Sequence, residues 1–454
     1  MDKVKTRIPV KLKRGVPLTV RPGHTVRLEV TNEPLTVHTG LSLFYAMAES
    51  LGIPESLDRH VRVKIREAGY PESEHILALA ANAFVGGDFL DDLEALREDV
   101  AIKQVIGRKN IPDPTTAGDF CRRFTLGHIL QMERAFREIQ QSVYTRRPKI
   151  TTWTVDVDAK VHEVYGTQKE GAAKGYTGVY SLQPMYAFVH ETDELIQLQL
   201  RSGNTHPGDK AVAFLRRMKR KIPPGVKTVT LRSDSAFYNK EVIWLCEQEG
   251  WEFSITADQT GPLSRAIGAV SEDAWVCDPE YPDIAYAEVS YQPHRWLQAY
   301  RFLIRRERQQ EKRGQTTLFE PFSHYVVVTN RQGSVKTLME NHDKRGSAEK
   351  RIAQFTNEFL SHLPLGEFLA NWVYLMCAQL AYNVSLWVRD LILPESYRKK
   401  HIKRIRRSIG LIAARVTTGG RQLRLKISVL HRWWRDFVYA WEGISKLAPE
   451  IQSG

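Results

Sequence analysis

Asp158, Asp234 and Glu349 are the residues whose type and setting could do chemistry together. Asp158, in TTWTVDVDAK, and Asp234, in TVTLRSDSAFY, each close an apolar, β-branched run that reads as a buried strand. Glu349, in ENHDKRGSAEKRIAQF, sits among charged residues on a stretch that reads as a helix. Carboxylates are hard oxygen ligands suited to Mg²⁺ or Mn²⁺. Two such cations roughly 3.5–4 Å apart can activate an attacking oxygen and stabilise a leaving one in phosphodiester chemistry. Ligands of open α/β sheets bind beyond the carboxyl ends of strands, which brings Asp158 and Asp234 to one place. Taken singly, each reads more readily as the start of a turn. Asp156 lies on the same strand face as Asp158, so spacing does not choose between them. His342, Arg345 and Glu349 fall at i, i+3 and i+7 of one helix face. Arg345 is either half of a surface ion pair with Glu349 or a guanidinium aimed at phosphate beside a carboxylate aimed at metal.

Such acids need a sheet to hold them. After a strand-like opening, TVRLEVTNEPLTV, residues 1–147 read as a mostly helical region. Over 148–260, the strand candidates WTVDVDA, GVYSLQPMYAFVH and LIQLQLRSG precede an alternation of helix and strand that ends in WEFSITAD. This order predicts an α/β fold, a mixed sheet with helices on its faces. Residues 261–321 read as a β-rich insertion ending in the polar run ERQQEKRGQTT. Over 322–365 the sheet resumes with HYVVVTN, followed by one long helix, KTLMENHDKRGSAEKRIAQFTNEFL, which carries Glu349. Residues 366–454 hold an apolar helix, a basic block and a Trp-rich last helix.

A chain of 454 residues exceeds one compact core and predicts several domains. Cys121, Cys246, Cys277 and Cys377 are widely spaced, which gives no support to a zinc site or a disulfide framework. No apolar segment follows the basic start MDKVKTRIPVKLKRG, so a secretory signal is not expected and the predicted location is cytoplasmic. The stretch FLANWVYLMCAQLAYNVSLWV, 368–388, is long enough to span a membrane. Asn371, Gln379, Asn383 and Ser385 interrupt it, which favours a buried helix and excludes the membrane as a partner. Between Arg398 and Arg435 there are thirteen Lys and Arg and no acid, and this stretch alone carries the excess of 65 basic over 52 acidic residues. Interleaved with apolar runs, it reads as a folded surface for a polyanion rather than a solvated tail.

In combination, the motifs DVDA (156–159), RSDS (232–235) and RGSAE (345–349) give the chain a clear likeness. An Asp on the first strand, an Asp on a later strand and a Glu on a helix after a β insertion resemble the DDE transposases of bacterial insertion sequences. Within them the chain is similar to the branch whose helix carries Y-x2-R-x3-E-x6-K. The positions here are His342, Arg345, Glu349 and Thr356. GGDFLDDLEALRED near the start and LAYNVSLWVRDL after the third acid extend the likeness over nearly the whole chain.

The resemblance implies a ribonuclease-H-like core and places the first catalytic acid at Asp158, the Asp followed by a small residue. It implies two Mg²⁺ ions, replaceable by Mn²⁺, on Asp158, Asp234 and Glu349. The implied activity is cut-and-paste transposition: binding of terminal inverted repeats through residues 1–147 and 366–454, strand cleavage, and transfer of the freed 3′-OH to other DNA by a homodimer, with 366–454 also the dimerisation region. His342 stands where the family has Tyr and Thr356 where it has Lys, residues held to grip DNA near the cut. For that grip the chain offers His342 and Arg345, and Arg404, Arg406 and Arg407 in the basic block. Trp296 is the candidate to stack on a flipped base, since relatives that close a DNA hairpin use an aromatic from this insertion. Two rivals share parts of this pattern: a ribonuclease-H-like nuclease without strand transfer, and a non-catalytic DNA-binding descendant.

Overall fold

The structure, a computed structural model, describes residues 17–447 except 29, 65–68, 109, 176, 207, 309–321 and 421. At its centre nine described strands form one mixed sheet. They are β1 (Thr152–Ala159), β2 (Met185–Val189), β3 (Leu195–Gln199), β4 (Thr228–Ser233), β5 (Glu252–Thr256), β6 (Val276–Cys277), β7 (Ile284–Tyr291), β8 (Tyr300–Arg308) and β9 (Phe322–Thr329). Their spatial order is β6-β7-β8-β9-β5-β4-β1-β2-β3. β4 runs parallel to both β1 and β5, while β2 is antiparallel to β1 and to β3. Three antiparallel strands continued by two parallel ones, with helices on the faces, make the ribonuclease-H-like α/β core that was expected.

Helices α1 (Leu41–Ser50), α2 (Glu72–Val85) and α3 (Leu126–Thr145) precede the sheet. α4 (Ala211–Lys219) and α5 (Lys240–Gln248) make the crossovers into β4 and β5. After β9 come α6 (Val335–Asp343), α7 (Gly346–Phe359), α8 (Phe368–Trp387) and α9 (Trp434–Leu447). β1 is buried on both faces, as a strand with helices above and below must be. Trp153, Val155 and Val157 pack with Phe214 and Met218 of α4 and Ile243 of α5. Asp156 and Asp158 point to the opposite face.

Three features refine the sequence reading. The strands of the insertion extend the main sheet, because β8 pairs along its length with β9, and β9 pairs with β5. The polar run after β8 lies almost wholly outside the described residues. The expected long helix is two helices, α6 and α7. At the break, Arg345 N donates to His342 O (2.8 Å) and Ala348 N to Arg345 O (2.7 Å), a tightened turn in place of the i→i−4 ladder. Gly346, a poor helix former, opens the second helix.

α8 is enclosed by protein, and its polar residues have structural work. Asn383 Oδ1 accepts from Leu195 N (3.0 Å), and Gln379 Nε2 and Asn383 Nδ2 donate to Leu195 O (2.6 and 2.9 Å), satisfying the backbone of edge strand β3. Among the described residues no helix is long and apolar enough to cross a membrane. α1, α2, α3 and α8 share one apolar core with Tyr186 and Phe188 of β2, so chain beginning and chain end are packed together. Strand Leu35–Thr36 also pairs with Ala414–Gly419, which forms a hairpin with Gln422–Ile427 inside the basic block.

Candidate active site

The three acids come from the elements assigned to them. Asp158 is at the carboxyl end of β1, beside β4. Asp234 follows β4 directly and caps the next turn itself, its Oδ1 accepting from Ala236 N at 3.2 Å. Glu349 lies in the first turn of α7. Burial, together with the nearby Asp234 carboxylate, pushes Asp158 up to about 7, against the pull of Arg345. Asp234 is also raised, by burial first. Two partly desolvated carboxylates, one raised by the charge of the other, favour a cation beside them.

Arg345 joins the third acid to this pair. Its guanidinium is 3.6 Å from Asp158 Oδ2 and 3.7 Å from Glu349 Oε1. Its Nη1, the atom that faces Asp158, is buried and makes no hydrogen bond among the described residues. The Glu349 side chain is 68% exposed. Among the described residues no three His, Cys, Asp or Glu side chains lie close enough together to hold a metal ion. The donor chemistry of Asp158 and Asp234 fits a hard divalent cation, and Glu349 is held at the rim by Arg345.

Asp156, which spacing could not separate from Asp158, has a different environment. It is fully buried, and its carboxylate accepts from Arg232 Nε (2.7 Å) and Nη2 (3.0 Å) and from Arg351 Nη1 (3.0 Å). Burial would raise it, but the nearby His190, the Arg232 hydrogen bonds and the charges of Arg232 and Arg351 hold it below the usual carboxylate range.

The DNA-grip candidates divide. His342 is 1% exposed, with Nδ1 on Ser254 Oγ (2.8 Å) and Nε2 on Thr256 Oγ1 (3.0 Å), so it struts α6 against β5. Burial, with Arg345 and Arg232, lowers it to about 3, and it is neutral. The helix break takes it off the face that carries Glu349. Trp296 is half-buried in the turn between β7 and β8, 5.3 Å from the Tyr238 ring and 5.4 Å from Tyr300, and packs on the core beneath the turn that follows Asp234. Arg406 donates to Phe84 O (2.8 Å), Ala83 O (3.1 Å) and Glu358 Oε2 (3.1 Å), which commits its guanidinium to structure. Arg404 and Arg407 are exposed, Arg404 over the ring of Trp433 at 5.0 Å.

A sequence model of the family described as "Transposase DDE domain group 1" matches residues 19–449. The chain belongs to that family. No curated protein sequence matches it. Among solved structures it is similar to the piggyBac transposase in a synaptic complex with hairpin DNA, at 10% identity and a TM-score of 0.43, over 93% of this chain and 89% of that one.

In this DDE transposase domain two features escaped the sequence reading. Thr356, where the resembling branch has Lys, is buried, and its Oγ1 accepts from Lys160 Nζ at 2.9 Å. The Lys160 ammonium thus sits beside α7, at the exit of β1. The signal was there: Lys160 is two residues beyond Asp158, just past the end of that strand. The second feature is a cleft of about 660 Å³ along α7, lined by Lys350, Gln354 and Asn357 on one side and Arg398, Lys399 and Lys400 on the other. The basic block thereby meets the helix of the third acid, a contact no local pattern could show.

Proposed function

We propose that this chain binds the ends of its transposon, cuts a DNA strand at Asp158, Asp234 and Glu349, and joins the freed 3′-OH to other DNA. The observation that carries this reading is the convergence of three acid-bearing elements. Asp158 ends β1, Asp234 follows the adjacent parallel strand β4 and helps push Asp158 up, and Arg345 lies between Asp158 and Glu349 of α7. Bound there, divalent cations such as two Mg²⁺, or Mn²⁺, would supply an activated oxygen nucleophile and neutralise charge on the phosphodiester.

The chain's own groups do the rest. Asp158 and Asp234 give fixed oxygens on rigid strand ends, and Glu349 closes the set from α7. Arg345, whose Nη1 faces Asp158 without a hydrogen bond, would turn its guanidinium to a phosphate oxygen, a charge-assisted contact suited to its geometry. Lys160, steadied by Thr356, adds positive charge at the exit of β1. The cleft lined by Lys350, Lys399 and Lys400 carries the backbone of the DNA running away from the cut. His342, neutral and enclosed, takes no part in proton transfer. A transposon has two ends, and a homodimer would hold both.

Cleavage of DNA carrying the flanking inverted repeats tests the proposal. Asp158→Ala, Asp234→Ala and Glu349→Ala should each lower Mg²⁺-dependent cleavage at least a thousandfold and leave end binding within a few-fold of wild type. Retained cleavage in any one of the three would remove that residue from the site.

A further inference from the structure

The three acid-bearing elements meet a second time, behind the acids. Asp156 stands two residues before Asp158 on β1, Arg232 two before Asp234 on β4, and Arg351 two after Glu349 on α7. Asp156 and Arg232 are direct partners in the parallel register of β1 and β4. Residues two apart on a strand share a face, so this pair lies directly behind the two strand-end acids. On a helix two residues span about 200°, which turns Arg351 inward where Glu349 faces out.

The bonds close a ring around one carboxylate. Arg232 reaches both oxygens of Asp156, and Arg351 Nη1 reaches Oδ2 at 3.0 Å. His190 Nδ1 accepts from Nη2 of Arg232 (3.1 Å) and of Arg351 (2.9 Å). Asp193 accepts from Arg351 Nε at 2.7 Å and, through its other oxygen, from Arg389 at 3.3 Å. Arg232 Nη1 also donates to Asn341 O, which ties in α6 just before the helix break.

Buried ion networks contribute little net stability, because desolvation of the charges offsets their attraction. What forked guanidinium contacts do supply is fixed geometry. We propose that Asp156, through Arg232 and Arg351, is the positioning residue that sets the mutual placement of Asp158, Asp234 and Glu349 and thereby their affinity for divalent cations; this rests on the reading of those three acids as the metal-holding set.

Arg351→Lys keeps the charge and removes the fork. In the full chain, calorimetric Mn²⁺ binding without DNA should weaken at least tenfold. The Mn²⁺ concentration for half-maximal cleavage should rise in parallel, while the unfolding midpoint and end binding stay near wild type. Asp156→Asn, of the same shape, should behave likewise and is decisive if Arg351→Lys does not fold. A folded variant of either kind with wild-type Mn²⁺ affinity would overturn the proposal. Loss of folding in both would do so too, since the network would then be a stability element. Glu349→Ala separates the two levels: if it leaves Mn²⁺ affinity unchanged, the metal-holding reading fails rather than the positioning role.

Discussion

Asp158 is a costly residue to keep in a fold. Its carboxyl titrates near 7 in the folded chain, pushed up by burial and by Asp234, against an ordinary value of 3.8. The folded state therefore holds its proton more tightly than the unfolded chain, and stability falls as pH rises from about 4 through about 7. A rise of that size corresponds to roughly 4 kcal/mol, most of it from burial. Asp158→Asn removes the charge and keeps the shape. Without divalent cations, its unfolding midpoint should exceed that of wild type at pH 8.5, with little difference at pH 4.5. Equal midpoints at pH 8.5 would show that the carboxylate is not desolvated.

Elements decided what could be read in advance and what could not. β1 and β4 were legible because TWTV and TVTL are runs of apolar and β-branched residues, the composition that strands prefer. The acids that end them were legible as strand-end residues. Asp156 was not distinguishable from Asp158, because its partners Arg232 and Arg351 lie 76 and 195 positions away. The break between α6 and α7 was signalled only by Gly346, and reading through it placed His342 wrongly on the Glu349 face. His342 instead joins two elements, α6 and β5. His342→Ala leaves Ser254 and Thr256 without that partner and should destabilise the chain by about 2 kcal/mol in urea unfolding, with end binding unchanged. Weaker end binding at unchanged stability would mean that the imidazole reaches DNA. Strand partners in the insertion were likewise beyond local pattern, since pairing of β8 with β9 and of β9 with β5 is set by the whole sheet.

Across the whole molecule, the basic excess is sorted by packing rather than by sequence. Arg406 is spent on holding α2 to α7 through Ala83, Phe84 and Glu358. Lys399 and Lys400 line the open cleft beside α7, Lys400 resting on the Tyr397 ring at 3.7 Å. Replacing Lys399 and Lys400 together by Ala should lower the slope of log affinity for end DNA against log salt by about 2, since each phosphate contact contributes about 0.9. An unchanged slope would move the DNA path elsewhere. The shared core of the beginning and end of the chain keeps this cleft and the acids in one body.

The proposed chemistry requires Asp158, Asp234 and Glu349 to form one cation site. Fe²⁺ bound in place of Mg²⁺, with ascorbate and peroxide, cuts the polypeptide backbone next to where the ion sits. The expected pattern is a small set of fragments ending near residues 158, 234 and 349, suppressed by excess Mg²⁺ and lost in Asp158→Asn. Fragments ending elsewhere, or a pattern indifferent to Mg²⁺ and to Asp158→Asn, would contradict it.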